Sequence, residues 1–278
     1  MKARPQVQAF AAGSTPEVDR PPGYMGAVWF VGLCLALAGV AALVSASAPA
    51  LVPFALALGP AVIAAGLAWR DGGGAPGRLR RSLTLRPRDR RWYLVLLLPV
   101  GWALAVVVTA VVLGEPTHGL FATLGPMALI IPLVVLIPAF AEEVGWRGYA
   151  VPRLMTVMSP LVASLVLAIP WTVMHLVLLL PGGVNEGAAL WPSVLSLFAY
   201  SVVLTWVYVG TGGSVLLAGL VHMGLNGVSP LMAGVDADLS WALRAVVAAV
   251  IALAVIALGG FRRSNVGSLA VVQPASPS

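Results

Sequence analysis

Apolar residues gather into eight long runs, near 24–46, 49–69, 92–114, 123–147, 160–180, 193–209, 213–232 and 241–260. About 20 consecutive apolar residues span a bilayer as a helix. The pattern therefore predicts an all-α polytopic membrane helix bundle of about eight transmembrane helices. The first two runs are separated by little more than SASAPA. Residues 1–23 are polar and Pro-containing, and read as a disordered cytoplasmic N-terminus. The first apolar run is too long for the core of a cleavable signal peptide. The tail 264–278 reads as disordered.

The segments between the runs orient the bundle, because cytoplasmic loops carry an excess of Lys and Arg. Eight of the sixteen Lys and Arg residues lie in the loop 70–91. Lys2, Arg4 and Arg20 precede the first run, and Arg262 and Arg263 follow the last. The alternate loops hold Glu115, Glu186, Asp236 and Asp238 and no Lys or Arg. An eight-span chain puts both termini and the arginine-rich loop in the cytoplasm; seven or nine spans break the pattern. Arg244, one turn into the last run at the other end, is the exception and is expected to snorkel.

Composition agrees. The chain is 60% hydrophobic and 9% charged, where a soluble domain carries roughly 25% charged residues, and its mean hydropathy is +0.97. The net charge of +6 does not imply nucleic acid, since no basic face with interleaved aromatics is present. The arginine-rich loop is matched instead to anionic lipid headgroups. Cys34, the sole cysteine, excludes a disulfide framework and a Cys-based metal site. The excess of Arg over a single Lys is associated with bacterial chains, and the expected location is a bacterial cytoplasmic membrane.

Ionisable side chains inside spans are costly and face a partner or a cavity. Here they are Glu142, Glu143 and Arg147 on the fourth run, His175 on the fifth, and His222 with Asn226 on the seventh. Runs four and five form a hairpin turning near Met158-Ser159-Pro160, which sets Glu142 and His175 at similar heights. His222 and Asn226, spaced i,i+4, share one helix face. Gly219, Gly224 and Gly227 suit a close helix approach.

A carboxylate and a neutral imidazole in a low-dielectric cavity hold and deprotonate one water. A Glu143–Arg147 ion pair leaves Glu142 free to act as base. A second imidazole and an amide N–H are suited to an oxyanion. The set Glu142, His175 and His222 equally matches an open catalytic zinc site, so Zn2+ stays open as a cofactor. On either route the chemistry is attack of water on an amide carbonyl.

The segments Glu142-Glu143-x-x-x-Arg147, 171-WTVMH-175 and 222-HMGLN-226 resemble, in order, three motifs of the CAAX-processing and bacteriocin-processing protease family, which includes the type II CAAX prenyl endopeptidases. The family usually has Phe where this chain has Trp171, a departure expected to affect packing more than chemistry. The resemblance covers roughly 120–230. It implies a catalytic core over 120–232, flanked by the helices of 24–119 and a last helix in 233–263. It implies an intramembrane endopeptidase with Glu142 as water-activating base, His175 as its partner, and His222 and Asn226 on the oxyanion side. The implied substrate is a membrane-associated or prenylated peptide or protein, cut near the cytoplasmic side. Two other readings compete: a catalytically silent chaperone or immunity-type partner, and a proton-coupled transporter, which the lack of an internal repeat weakens. His-Glu-x-x-His, Gly-x-Ser-Gly and Gly-x-Gly-Asp are all missing from the sequence.

Overall fold

A computed structural model describes residues 23–115, 130–227, 232 and 235–261. The ends expected to be disordered, the flanking Lys2, Arg4, Arg20, Arg262 and Arg263, and His118 lie outside the described residues. Every regular element described is helical. In chain order these are α1 (Met25–Val44), α2 (Val52–Asp71), α3 (Ala75–Ser82), a 3-10 stretch (Arg90–Leu97) leading into α4 (Leu98–Val112), and α5 (Ile130–Gly145). A π-helical turn (Trp146–Ala150) and α6 (Val151–Leu154) continue α5, followed by α7 (Pro160–Leu176), α8 (Leu190–Gly210), α9 (Val215–Asn226) and α10 (Ala237–Ala257).

Six of these stretches are long and apolar enough to cross a membrane: α1, α2, Arg90–Val112, Pro160–Leu179, α8 and α10. The chain is an integral membrane protein. Parts of two expected runs, 123–147 and 213–232, lie outside the described residues; within the second, α9 has 12 residues and reaches ~18 Å. Enclosed by α5, α8 and α4, α9 need not match the thickness of the lipid. The described part of α5 has 16 residues and ends in the π-turn, a feature frequent at functional sites. Helix α5 with its π-turn carries the Glu142-Glu143-Arg147 motif, and α9 carries the His222-Asn226 motif.

The bundle is built around α5 and α8. Helix α5 packs between α2 and α9, while α8 packs on α7 and α10. Burial separates centre from rim: 67% of α8's apolar stretch is buried, against 28% for α1 and α10. Small residues permit the closest crossings. A Cβ on Gly145 would lie 2.7 Å from Pro60 in α2, and one on Gly219 would lie 3.2 Å from the Phe140 Cα in α5. Gly224 likewise meets Pro99 of α4. Gly227, expected to serve the same purpose, faces only the main chain of its own helix end.

The hairpin turns where expected, with Ser159 capping α7 by accepting from the Val162 N–H at 3.3 Å. At the same end of the bundle, Tyr149 and Arg153 donate to Asp71 Oδ2 at 2.7 and 2.8 Å, tying the turn beyond α5 to the last residue of α2. The arginine-rich segment docks here too. Leu79 of α3 sits over Gly148, the Arg88 N–H donates to the Thr211 carbonyl at 3.2 Å, and the Ser214 hydroxyl donates to the Thr84 carbonyl. The loop is therefore part of the fold as well as a topological signal.

Candidate active site

Helices α5, α7 and α9 bring the expected residues together. The hairpin places His175 Nε2 3.7 Å from Glu142 Oε2. That is too long for a hydrogen bond and short enough for one water to bridge. Trp171, one turn before His175, donates its indole N–H to Glu142 Oε2 at 2.6 Å. Phe at this position has no such donor, so the expectation that Trp171 matters mainly for packing is corrected. Glu142 and Trp171 are both buried, and His175 is part-exposed.

The main chain fixes the tautomer of His175. Its Nδ1 lies 2.9 Å from the Trp171 carbonyl. A carbonyl only accepts, so Nδ1 carries the hydrogen and, in the neutral ring, Nε2 presents a lone pair on the Glu142 side. Trp171 thus orients both members of the pair, the carboxylate through its side chain and the imidazole through its backbone.

Glu143, one residue on, faces a different set of partners. Its Oε1 accepts from Arg147 NH1 at 2.9 Å and lies 2.9 Å from His222 Nδ1. All three side chains are buried. The expected Glu143–Arg147 ion pair is present, and it also anchors His222, whose partner is Glu143 rather than Glu142. Arg147 NH2 reaches the Ser201 carbonyl at 3.4 Å, and its Cζ stands 4.8 Å from the centroid of the Trp171 ring. Both imidazoles meet Trp171 edge-on, with centroids at 5.2 and 5.5 Å. The indole is the wall on which the site is assembled.

Glu142, His175, His222 and Asn226 line one cavity of about 690 Å³. Asn226 is exposed at the last residue of α9. Among the described residues no hydrogen bond joins it to the other three. The cavity also takes in Ser196 and Tyr200 of α8 and Trp241 and Arg244 of α10, which sequence reasoning did not assign to it. Arg244 was expected to snorkel. Instead its guanidinium stacks on the Trp241 ring at 4.1 Å, and Nε donates to the Ser240 carbonyl at 3.2 Å. Pro49, Ala50, Val184 and Asn185, from the loops after α1 and α7, also line the cavity.

Among the described residues no group of three His, Cys, Asp or Glu side chains is placed to hold a metal. Glu142 Oε2 is engaged by Trp171, and His222 is turned to Glu143. The residues as placed do not form the zinc set Glu142, His175 and His222.

Residues 123–228 match the family described as type II CAAX prenyl endopeptidase Rce1-like. The likeness to that family is carried by this segment. The stretch contains all three motifs and the helices that carry them. A curated relative, CAAX prenyl protease 2 of Methanococcus maripaludis, is 28% identical over 100 residues. That stretch is 34% of this chain and spans 37% of the relative's length. The Rce1-like segment supplies the Glu142/His175 pair and the buried Glu143/Arg147/His222 group, while α2 and α10 add further walls of the cavity.

Proposed function

We propose that this protein is an intramembrane endopeptidase that hydrolyses a peptide bond in a membrane-associated peptide. The observation that carries the reading is the 3.7 Å gap between Glu142 Oε2 and the Nε2 lone pair of His175, at a cavity wall inside the bundle. A water bridging that gap donates one hydrogen to the carboxylate and the other to the imidazole. Its remaining lone pairs are then free to attack a carbonyl carbon in the cavity. Glu142 takes the water's proton as the C–O bond forms, and the same proton passes to the leaving amine as the C–N bond breaks.

His222, anchored through Nδ1 by the Glu143 carboxylate, stands on the oxyanion side of the reacting carbonyl. Asn226, one turn further along α9, offers its amide N–H to the same side. Arg147 holds Glu143 in place and acts through it. The protein lies in a bacterial cytoplasmic membrane with both termini cytoplasmic. The exposed Arg80 and Arg81 of α3 lie against anionic headgroups.

An apolar, internally quenched peptide offered to the purified protein in detergent tests this. Wild type is expected to cleave it, whereas Glu142→Gln and His175→Ala are expected to be inert while unfolding at the wild-type temperature. Full activity in a folded Glu142→Gln protein rules the mechanism out.

A further inference from the structure

The cavity wall carries two polar groups, and the hydrolysis uses only one of them. Glu142, His175, His222 and Asn226 come from α5, α7 and α9. The second group comes from α8 and α10 and centres on Tyr200, Trp241 and Arg244. Helix α10 is placed by its alanines, since Ala248 and Ala252 cluster with Ala199, Val202 and Val203 of α8. The same face, continued back by one and two turns, brings Arg244 and Trp241 to the cavity.

Among the described residues that line the cavity, Arg244 is the one Lys or Arg. Much of the remaining wall is apolar, with Phe54, Leu56, Met174 and Leu178. A cation inside a span is costly, and one that faces a cavity marks a functional contact. Here the guanidinium has a fixed orientation. Its Cζ lies 4.1 Å from the centroid of the Trp241 ring, and Nε donates to the Ser240 carbonyl at 3.2 Å. Both anchors belong to its own helix, so the plane of the fork is set before a ligand arrives. Arg147, by contrast, is buried and paired with Glu143. The serine hydroxyls of this wall turn to their own helix, Ser193 to the Ala189 carbonyl at 2.9 Å and Ser196 to the Ser193 carbonyl at 3.0 Å.

We infer that Arg244 is a specificity-determining residue, which binds a carboxylate of the substrate at a subsite built by α8 and α10. The inference rests on the peptidase reading for the nature of the ligand, because the anion a peptide carries is a carboxylate. A planar guanidinium fork matches a carboxylate through two parallel hydrogen bonds, and apolar walls strengthen that attraction. The cation also offsets the repulsion that Glu142 exerts on an acidic ligand in the same cavity. Helix α10 lies beyond residues 123–228, the stretch that carries the family likeness. Selection is thus supplied by a different helix from those that supply the chemistry.

One apolar peptide of alanine, valine and leucine, labelled with a fluorophore, is made in three forms. The first has a C-terminal carboxylate, the second a C-terminal amide, and the third an amide end with one internal glutamate. Binding is measured to Glu142→Gln in a non-ionic detergent, and cleavage is measured with wild type. At least one carboxylate form is expected to bind about tenfold more tightly than the uncharged amide. Preference for the first form assigns the chain end as ligand, and preference for the third assigns a side chain. Adding Arg244→Gln is expected to bring the ratio close to one. Arg244→Lys keeps the charge without the fork and is expected to reduce the ratio. A purely structural role for Arg244 would weaken all three peptides alike and leave the ratio unchanged, which overturns the inference. Equal binding of the three forms before Arg244 is altered overturns it as well. Where Arg244→Gln does not fold, an undiminished preference in folded Arg244→Lys does the same. Carboxylate-selective binding without cleavage of any form by wild type upholds the role of Arg244 and defeats the peptidase reading. Equal binding and cleavage of all three forms upholds the peptidase reading and defeats the inference.

Discussion

The indole N–H of Trp171 is bound to Glu142 Oε2 at 2.6 Å, while the carbonyl of the same residue holds His175 Nδ1 at 2.9 Å. One residue therefore sets the carboxylate and the imidazole relative to each other. Trp171→Phe keeps an aromatic wall and the backbone acceptor and removes only the donor. A hydrogen bond to a charged group contributes ~1.5–3 kcal/mol. We expect kcat to fall by about tenfold with KM little changed, a loss of ~1.4 kcal/mol at the transition state. Replacing Trp171 with an isosteric analogue that has sulfur in place of the indole N–H is expected to reproduce the loss. Wild-type kcat in both proteins would show that the bond does not position Glu142.

The Glu143–Arg147 pair is buried and shared with His222. Removing one member of a buried pair leaves an uncompensated charge and costs about 3–5 kcal/mol. Arg147→Ala is expected to be strongly destabilised in thermal unfolding. Adding Glu143→Gln to Arg147→Ala should recover part of that loss, because the orphaned charge is removed. The double variant should remain inactive, since His222 then lacks its carboxylate anchor. Strict additivity of the two stability changes would argue against the pairing.

Gly145 separates the Glu142-Glu143 pair from the π-turn and sits where α5 meets α2. An added Cβ lies 2.7 Å from both the Cβ and the carbonyl oxygen of Pro60. Gly145→Ala should cost about 1–3 kcal/mol through overpacking and lower activity, because the helix that carries both glutamates must shift. Gly227→Ala is the control. Its added Cβ meets only main-chain oxygens of its own helix at 3.4 and 3.5 Å, so its unfolding temperature should match wild type. Equal behaviour of the two variants would contradict the proposed crossing.

The helical class, the hairpin at Ser159 and the meeting of Glu142 with His175 were legible in the sequence, because each follows from helical rise and from the cost of polar groups in lipid. Other features were not. Glu142 and Glu143 are neighbours about 100° apart around a helix, and only packing decides which of them takes His222. The donor role of Trp171 depends on an indole orientation across a helix pair, which no spacing rule supplies. The shortness of α9 was hidden because its apolar run continues past Asn226. The arginine-rich loop read as a charge signal, since Leu79 and Thr84 form their contacts only when α3 docks.

The central claim is that Glu142 activates water for peptide hydrolysis, and the most direct test is made in membranes. Cells expressing wild type or Glu142→Ala at matched protein levels are compared by mass spectrometry of new peptide termini. The account predicts termini generated only by wild type, arising from membrane-anchored peptides. Identical sets of termini from the two proteins would contradict it and would favour a partner protein that binds peptides without cutting them.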